Sequence, residues 1–304
     1  MNPYACVIVN PAAGAGKTGK AWPVIREVFS RQGLKFEHAV TEGPGHAMQL
    51  VAEAVGKGHE TVVSVGGDGT IHEIVNGLHR AGAREKVLVG LVSTGTGSDY
   101  IRTVGTPRNY RDACARLMEP RTRCVDLGVV DYGTNGSRGQ RIFVNFAGLG
   151  FDAEIVRRTK QQFKTLGGLP SYLLGAITTL ATFRNKDIVL KIDGEATQHR
   201  VCTVIMNNGR YGGGGMNTAP NAELDDGLFD VLIVGDISKT DFIYSLPRLY
   251  RGTHLTHKKI LLNRAREIEI TSRNGHLPLQ ADGELLGEAP ATFNILPKAL
   301  KVIL

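Results

Sequence analysis

The sequence predicts two domains: an N-terminal doubly wound α/β domain with a parallel sheet, and a β-rich C-terminal domain. At 304 residues the chain exceeds the usual size of one domain. Strand and helix patterns alternate up to about residue 120, as in parallel sheets covered by helices. After Arg121 strand-like runs dominate, separated by turn signals. We therefore expect domains over residues 1–122 and 123–304.

The N-terminal elements follow one another in strand–helix order. The predicted strands are Ala5–Val9, Lys35–Val40, Thr61–Val65 and Val87–Val92. The predicted helices are Trp22–Arg31, Ala47–Val55 and Ile71–Arg80. Glycine-bearing loops follow three of the strands, and the carboxyl ends of parallel strands lie at one edge of a sheet. We therefore expect the three loops to form one ligand site.

The C-terminal domain combines many strands with a few helices. The predicted strands are Cys124–Val130, Arg141–Ala147, Ile188–Ile192, Val201–Met206, Phe229–Val234, Glu267–Ile270 and Ala291–Leu296. Helical patterns cover Phe151–Lys164, Ser171–Phe183 and Lys239–Arg251. The last residues, 301–304, are compatible with a closing strand in either domain.

Composition and charge narrow the class of protein. Four dispersed cysteines without a CxxC pair argue against a disulfide scaffold or a zinc site, and favour a reducing, cytoplasmic setting. The start of the chain lacks a signal-peptide pattern, and the longest uncharged stretch, 165–183, is too polar to span a membrane. The net charge of +7 favours anionic partners, but no nucleic-acid-binding motif is present, so nucleic acid is not expected.

The first loop, residues 10–19, matches three motifs in part. It ends like a P-loop, but Pro11 stands where that motif needs glycine and removes a backbone donor. It also matches the dinucleotide fingerprint, but the match begins four residues past the predicted strand end. A looser anion-binding loop with the cation Lys17 is favoured, and a glycine-rich turn without ligand is the alternative.

The second loop is Gly66-Gly67-Asp68-Gly69-Thr70. Its glycines allow close approach to a ligand, and the helix that follows offers unpaired N–H groups to phosphate. A carboxylate among phosphate oxygens is repulsive without an intervening cation, so Asp68 indicates phosphate plus Mg²⁺. The alternative is a turn in which Asp68 caps a helix. A third loop with Gly95 and Gly97 also follows a strand, which favours the ligand interpretation.

The combined motifs resemble the diacylglycerol kinase catalytic domain family, in particular its bacterial lipid kinases. The resemblance rests on Asn10-Pro11-x-x-Gly14-x-Gly16-Lys17, Gly66-Gly67-Asp68-Gly69-Thr70-x-x-Glu73 and Gly95-Thr96-Gly97-x-Asp99, and continues through Asn145–Asp152, Leu224–Gly227 and Asp282–Glu284. It implies an N-terminal domain like those of NAD kinase and phosphofructokinase, a C-terminal β-sandwich, and an ATP-dependent kinase that phosphorylates a lipid hydroxyl in phospholipid metabolism.

The resemblance also implies roles for individual residues. Asp226 binds a structural Mg²⁺ with the carbonyls of Glu223 and Leu228, and is linked through water to Asp68. Either Asp282 or Glu284 is the base that deprotonates the lipid hydroxyl. The implied ATP contacts are Asn10, Pro11, Gly14, Lys17, Thr41, Gly66, Gly67, Asp68, Gly69, Thr70, Glu73 and Thr96.

Three features qualify these assignments. Ser98 stands where many relatives carry asparagine, so a contact of asparagine length is in doubt there. The tripeptide Asp193-Gly194-Glu195 is identical to Asp282-Gly283-Glu284, and only the family pattern selects the later one. Asp225-Asp226-Gly227 is, by itself, typical of a turn before a strand.

The resulting hypothesis is transfer of the ATP γ-phosphoryl group to a lipid. Lys17 and Mg²⁺ neutralise phosphate charge, Asp68 organises the metal, and Asp282 takes the proton. A basic segment of Arg157, Arg158, Lys160 and Lys164 either faces anionic phospholipid head groups at the inner face of the membrane or forms a solvated surface. We expect a cytoplasmic protein that meets its lipid acceptor at a membrane surface. The oligomeric state does not follow from the sequence.

Two other functions share part of this pattern. A kinase of a soluble substrate, such as an NAD kinase, also has the Gly-Gly-Asp-Gly loop, although the third loop favours the lipid branch. A non-catalytic nucleotide-binding regulator would bind ATP without transferring phosphate. The sequence does not choose among diacylglycerol, phosphatidylglycerol, a sphingoid base and a polyprenol as the acceptor.

Overall fold

The computed structural model describes residues 4–95, 97–118, 121–134, 137–162 and 168–304. The chain divides into two compact units. The first comprises Met1–Leu127 and Pro297–Leu304, and the second comprises Gly128–Leu296. The C-terminal residues therefore belong to the first unit.

The first unit is built on a parallel sheet in the order β2–β1–β3–β4. These strands are β1 (Ala5–Val9), β2 (Phe36–Val40), β3 (Thr61–Gly66) and β4 (Leu88–Ser93). The end of β17 (Glu284–Ile303) adds a parallel neighbour, with Lys301 opposite Leu88 and Val302 opposite Val89. The strands β1 and β3 are buried throughout, as expected for a parallel sheet covered on both faces. The predicted fold class of this unit is confirmed.

The helices of the first unit are α1 (Lys17–Arg31), α2 (His46–Gly56), α3 (Asp68–Arg80), α4 (Asp99–Val104) and α5 (Tyr110–Met118). Both α1 and α3 begin earlier than their apolar periodicity predicts. Gly16 adopts a left-handed conformation with φ of 84°, so the chain turns directly from the first loop into α1. Thr70 is buried in the first turn of α3, although the glycines around it disfavour helix in the sequence.

The second unit is a β-sandwich domain whose strand pairs are antiparallel. Its main path is β14–β13–β10–β7–β16–β17, and β15, β8 and β9 continue from β17. The strands are β5 (Thr122–Thr134), β6 (Ser137–Phe143), β7 (Phe146–Gly150), β8 (Lys186–Ile192), β9 (Glu195–Val201), β10 (Thr203–Asn207), β11 (Tyr211–Gly212), β12 (Met216–Asn217), β13 (Phe229–Val234), β14 (Ile260–Ala265), β15 (Glu267–Ser272) and β16 (Pro278–Ala281). The β-sandwich implied by the resemblance is confirmed.

Two apolar clusters lie on opposite faces of β13. Phe229 packs against Phe143 with ring centroids 5.5 Å apart, in a cluster formed by strands. Leu232 belongs to the second cluster, which is covered by α6 (Phe151–Gln162), α7 (Gly168–Thr182) and α8 (Lys239–Arg251). A single turn of 3₁₀ helix, His254–Thr256, follows α8.

The strands β11, β12, β14 and β16 were not predicted, and two further differences have a structural cause. The predicted strand Arg141–Ala147 is divided into β6 and β7, because the Asp282 carboxylate accepts the backbone N–H groups between them. The strand β9 was not predicted, because most of its residues are polar and exposed at the edge of the sheet.

Candidate active site

Three loops lie at the carboxyl ends of β1, β3 and β4: loop 1 (residues 10–16), loop 2 (66–70) and loop 3 (94–98). Asn10 Nδ2 donates to Thr70 Oγ1 at 3.1 Å, which joins loops 1 and 2. The Thr94 N–H donates to the Gly66 carbonyl at 2.8 Å, which joins loops 2 and 3. The Thr18 and Thr94 hydroxyls also share a hydrogen bond. The structure therefore brings the three predicted loops together.

Glycine is required where these loops touch. A Cβ atom on Gly95 would lie 2.7 Å from Gly67 Cα. On Gly14, which has a φ of 61°, it would lie 2.5 Å from the Thr94 carbonyl oxygen. Both neighbours are backbone atoms that cannot move aside, so a side chain at either position would separate the loops.

The loops present hydrogen-bond donors that the described residues leave available. The backbone N–H groups of Gly14, Ala15 and Gly69 donate no hydrogen bond to any residue that the structure describes. Lys17 is exposed at the first position of α1, where its ammonium group adds a positive charge. Donors and a cation at two helix N-termini suit a phosphate-bearing ligand.

Two other predicted ATP contacts, Glu73 in α3 and Thr41 just after β2, make hydrogen bonds near the loops. The Glu73 carboxylate accepts hydrogen bonds from Gly45 N at 2.8 Å and Ala47 N at 3.1 Å, and thus caps the N-terminus of α2. Thr41 is buried, and its N–H donates to the Val9 carbonyl at 2.8 Å. Glu73 therefore connects α3 with the start of α2, a structural contact that the sequence does not reveal.

Asp68 caps a helix other than its own. It lies in the first turn of α3, and its two carboxylate oxygens accept the N–H groups of Asp99 and Tyr100, each at 3.2 Å. These are the first residues of α4. Gly97 lies beside this carboxylate, because a Cβ atom there would be 3.1 Å from Asp68 Oδ2. In the structure Asp68 thus links loops 2 and 3.

Ser98 fills its position differently from an asparagine. It is buried, adopts a φ of 54°, and bonds the Ser93 hydroxyl at 2.7 Å and the Gly95 carbonyl at 3.0 Å. The side chain thus stabilises loop 3 from within. Thr96, another predicted ATP contact, lies outside the residues that the structure describes.

In the second unit, Asp282 holds a hairpin turn in place. Its carboxylate accepts the backbone N–H groups of Val144, Asn145 and Phe146 at 2.8–3.1 Å, and its φ is 48°. Glu284, two residues further on, is exposed. Asp282 is half-buried and both its oxygens accept backbone donors, so Glu284 is the more exposed of the two residues.

The identical tripeptide Asp193-Gly194-Glu195 adopts the same turn. Asp193 has a φ of 45°, and its Oδ1 accepts the N–H groups of Arg266 at 3.0 Å and Glu267 at 2.9 Å. Asp-Gly with positive φ at both residues is typical of a tight hairpin. The two turns show that the aspartate of this tripeptide has a structural use that requires no substrate.

The candidate metal residues lie in a turn before β13. Asp226 Oδ1 accepts the Leu228 N–H at 3.0 Å, and its Oδ2 pairs with Arg264. Glu223 is exposed in the same turn. No cluster of three or more acidic, histidine or cysteine side chains suited to a metal occurs within the described ranges. Any Mg²⁺ there must therefore use backbone carbonyls and water besides Asp226, which that ion accepts.

Asp230 is a buried acid that the sequence analysis missed. Its side chain makes no hydrogen bond or ion pair with the part of the chain that the structure describes. Burial, and secondarily the charge of Glu223, raise the pKa of Asp230 to about 6. Asp230 in β13 thus adds a buried acid beside the turn, whose carboxylate and carbonyl oxygens fit a hard divalent cation.

Two arginines of the predicted basic segment are paired within the protein. Arg157 and Arg158 both bond Glu154, with shortest contacts of 2.6 and 2.9 Å, and Arg158 also bonds the Thr178 carbonyl on α7. Arg158 therefore fastens α6 to α7. Lys164 and the side chain of Lys160 lie outside the described residues.

The chain thus combines an α/β unit, whose glycine-rich loops meet at one edge of a parallel sheet, with a β-sandwich unit. Residues 4–130 match the diacylglycerol kinase catalytic domain, and residues 145–304 match the YegS C-terminal NAD kinase beta sandwich-like domain. The chain belongs to the bacterial lipid kinase family that combines these two domains.

Curated relatives carry names that fit this family, and solved structures share the fold. Two relatives named diacylglycerol kinase, from Staphylococcus carnosus and Bacillus subtilis, are each 27% identical to the chain. Each alignment covers 99% of this chain, together with 95% of the Staphylococcus protein and 96% of the Bacillus protein. A crystal structure described as a diacylglycerol kinase from Bacillus anthracis is similar with a TM-score of 0.73 and 21% identity, covering 99% of this chain and 96% of its own. Yeast NADH kinase shares the fold more distantly, with a TM-score of 0.53 and 12% identity over 100% of this chain and 84% of its own.

Proposed function

We propose that the protein transfers the γ-phosphoryl group of ATP to the hydroxyl of diacylglycerol. The observation that supports the kinase chemistry is the contact among loops 1, 2 and 3, which brings backbone donors and Lys17 to one edge of the sheet, where they suit a phosphate. The acceptor is inferred from the relatives named diacylglycerol kinase, which match over nearly their whole lengths. An NAD kinase is the second candidate, and the distant likeness to yeast NADH kinase is the observation in its favour.

In this proposal the loops orient the phosphates and stabilise their charge. Phosphoryl transfer requires positioning and charge neutralisation more than covalent chemistry by the protein. The N–H groups of Gly14, Ala15 and Gly69 bind phosphate oxygens, and Lys17 supplies a positive charge. Asp68 keeps loop 3 in place through α4, so its contribution to phosphate binding includes positioning.

Asp226 and the carbonyls of Glu223 and Leu228 would hold Mg²⁺. When bound, the ion would supply positive charge to the acids at this turn and to Asp230 in the adjoining strand β13. Arg264 pairs with Asp226 and is the group that the ion has to displace or share.

Glu284 is our choice for the base that takes the hydroxyl proton. Its carboxylate is exposed, whereas the carboxylate of Asp282 accepts three backbone N–H groups. A base has to reach the proton it removes, which favours the more accessible group. Asp282 then acts as a positioning residue that fixes the turn from which Glu284 projects.

The acceptor is tested with a substrate panel. Radiolabelled ATP and Mg²⁺ are supplied with diacylglycerol, phosphatidylglycerol, a sphingoid base, a polyprenol or NAD, each at several concentrations. We expect diacylglycerol to give the highest kcat/KM. Preferential labelling of NAD would support the second candidate, and ATP binding without transfer to any acceptor would indicate a regulator.

No helix within the described ranges has both the length and the apolar character needed to cross a bilayer. In our proposal the protein works at the cytoplasmic face of the membrane, where it meets its lipid acceptor as a peripheral protein. This peripheral binding requires a surface of the protein that contacts the membrane.

A further inference from the structure

We infer that the outer face of α8 docks on a bilayer surface that contains anionic phospholipids. This inference rests on the lipid kinase function proposed above. The docking face is defined here as Ile243, Tyr244, Arg248, Tyr250 and Arg251. It does not include the basic segment before α7, whose two arginines are paired with Glu154.

Large apolar and aromatic side chains of the docking face are open to solvent. Ile243 is 52% exposed, Tyr244 is 80% exposed and Tyr250 is 48% exposed. Ile243 and Tyr250 are seven residues apart, which places them on one side of the helix. An exposed apolar patch of this kind marks a contact surface, and tyrosine suits the boundary between water and lipid.

The opposite side of α8 is firmly packed. The Phe242 ring lies against Phe151 with centroids 4.7 Å apart, and Ser245 is buried. Ser238 caps the N-terminus by accepting the Asp241 N–H at 3.1 Å. Gly252 ends the helix with a φ of 70°. The exposed residues are therefore presented by a fixed helix.

The charge of the docking face selects anionic lipid as its partner. Arg248 and Arg251 are exposed, and their guanidinium groups make no hydrogen bond or ion pair with the described residues. Asp241, in the first turn, is the only acidic residue of α8. Arginine places its aliphatic stem beside apolar groups and its charge beside lipid phosphates.

Further exposed apolar side chains lie on α7, whose end is beside the start of α8. Lys239 Nζ donates to the Ala181 carbonyl, so the start of α8 lies beside the end of α7. On α7, Ile177 is 65% exposed and Leu174 is 39% exposed. An amphipathic surface with aromatic, aliphatic and arginine side chains is typical of helices that lie in the membrane interface.

The test is vesicle sedimentation without ATP, which separates docking from catalysis. Vesicles of phosphatidylcholine with phosphatidylglycerol are compared with vesicles of phosphatidylcholine alone. The test variants are Arg248→Ser/Arg251→Ser and Ile243→Ser/Tyr244→Ser. The matched controls are Arg138→Ser/Arg266→Ser, two exposed arginines elsewhere in the second unit, and Val24→Ser, an exposed aliphatic residue on α1. Thermal melts establish that each variant is folded.

We expect the arginine pair to weaken partitioning onto anionic vesicles by roughly thirtyfold, because each cation near an anionic surface contributes about fivefold. The apolar pair should weaken it at least tenfold, and both controls should match the unmodified protein. Equal sedimentation of test and control variants would overturn the inference. A second result would also overturn it: the unmodified protein dimerises with rising concentration, and the test variants abolish dimerisation without changing vesicle binding. A second copy of the chain would then cover this face.

Activity assays separate this inference from the proposed function. On vesicles the test variants should lose activity in parallel with binding, while on a water-soluble short-chain diacylglycerol they should match the unmodified protein. If the unmodified protein phosphorylates no lipid but still sediments through this face, the proposed function fails and the docking face stands. If it phosphorylates lipid and the test variants sediment normally, the docking face fails and the function stands.

Discussion

At the scale of the residue, the acids of the recognised motifs differ in what they contact. Asp68, Glu73 and Asp282 each accept two or more backbone N–H groups, so they hold loops and helix ends in position. Glu284 instead is exposed. Acids of the family motifs can therefore hold the loops of the site in position as well as take part in the reaction.

The first prediction separates Asp282 from Glu284. Glu284→Gln should lower kcat by about a hundredfold or more with an unchanged melting temperature, because it removes a proton acceptor from an exposed position. Asp282→Asn should cost about 1–3 kcal/mol of stability, because an amide cannot satisfy all three N–H groups. Asp193→Asn is the matched control, since its turn is the same, and it should lose stability without losing turnover per folded molecule. Normal kcat in Glu284→Gln would contradict the assignment.

A second prediction concerns the phosphate cation. Lys17→Met should lower kcat/KM for ATP by roughly tenfold to a hundredfold, because a charge-assisted contact with phosphate is lost. Lys20→Met, on the same helix, is the control and should leave ATP kinetics unchanged. The measurement is steady-state kinetics with ATP varied at saturating lipid. Equal effects of the two substitutions would show a general influence of charge only.

A third prediction concerns His254, which is buried beside the Thr218 carbonyl at 3.2 Å. Burial lowers the pKa of this imidazole, although the hydrogen bond to Thr218 opposes the shift. Below about pH 6.5 the unfolded chain therefore binds a proton that the folded chain does not, so stability falls on acidification. Chemical denaturation between pH 7.5 and 5 should show a smaller loss for His254→Gln than for the unmodified protein. Parallel losses would exclude His254 as the cause.

At the scale of the element, the site depends on loops that touch through backbone. The contact between Gly67 and Gly95 leaves no room for a side chain, and Asp68 adds a second link by capping α4. Because β1, β3 and β4 are parallel neighbours, their ends hold the loops at a fixed spacing. Small changes in one loop should therefore reach the others.

The fourth prediction tests this coupling. Gly95→Ala should raise KM for ATP by about tenfold or more, because its Cβ atom would force the backbones of loops 2 and 3 apart. Gly56→Ala, at the end of α2, is the control, since a Cβ atom there meets nothing within 4 Å. It should leave KM unchanged and stability equal or slightly higher. Isothermal titration with ATP provides an independent measure, and equal affinity in Gly95→Ala and the unmodified protein would refute the coupling.

Parts of this arrangement can be predicted from the sequence, and others cannot. The sequence pattern located the strands β1 to β4 of the first unit to within one residue at each end, and α8 over its full length. It could not divide β6 from β7, because the division is made by Asp282, far away along the chain. Nor could it show that Asp68 and Glu73 cap other helices, or that Asp230 is buried, since these depend on tertiary contacts.

At the scale of the whole molecule, the two units carry different parts of the proposed chemistry. The first unit contains the phosphate loops and the last residues of the chain, and the second contains Glu284, the acidic turn and the docking face of α8. Each unit is largely covered by one of the two family models, residues 4–130 by the diacylglycerol kinase catalytic domain and residues 145–304 by the YegS C-terminal domain. In the proposed reaction a lipid is the acceptor and ATP is the donor.

The most direct test of this central claim is incubation with γ-labelled ATP, Mg²⁺ and a total lipid extract, followed by separation of the organic and aqueous phases. We predict that the label enters a lipid which co-migrates with phosphorylated diacylglycerol, and that Glu284→Gln reduces this labelling by about a hundredfold. Label confined to the aqueous phase, as inorganic phosphate or a phosphorylated soluble metabolite, would contradict the claim that the acceptor is a lipid.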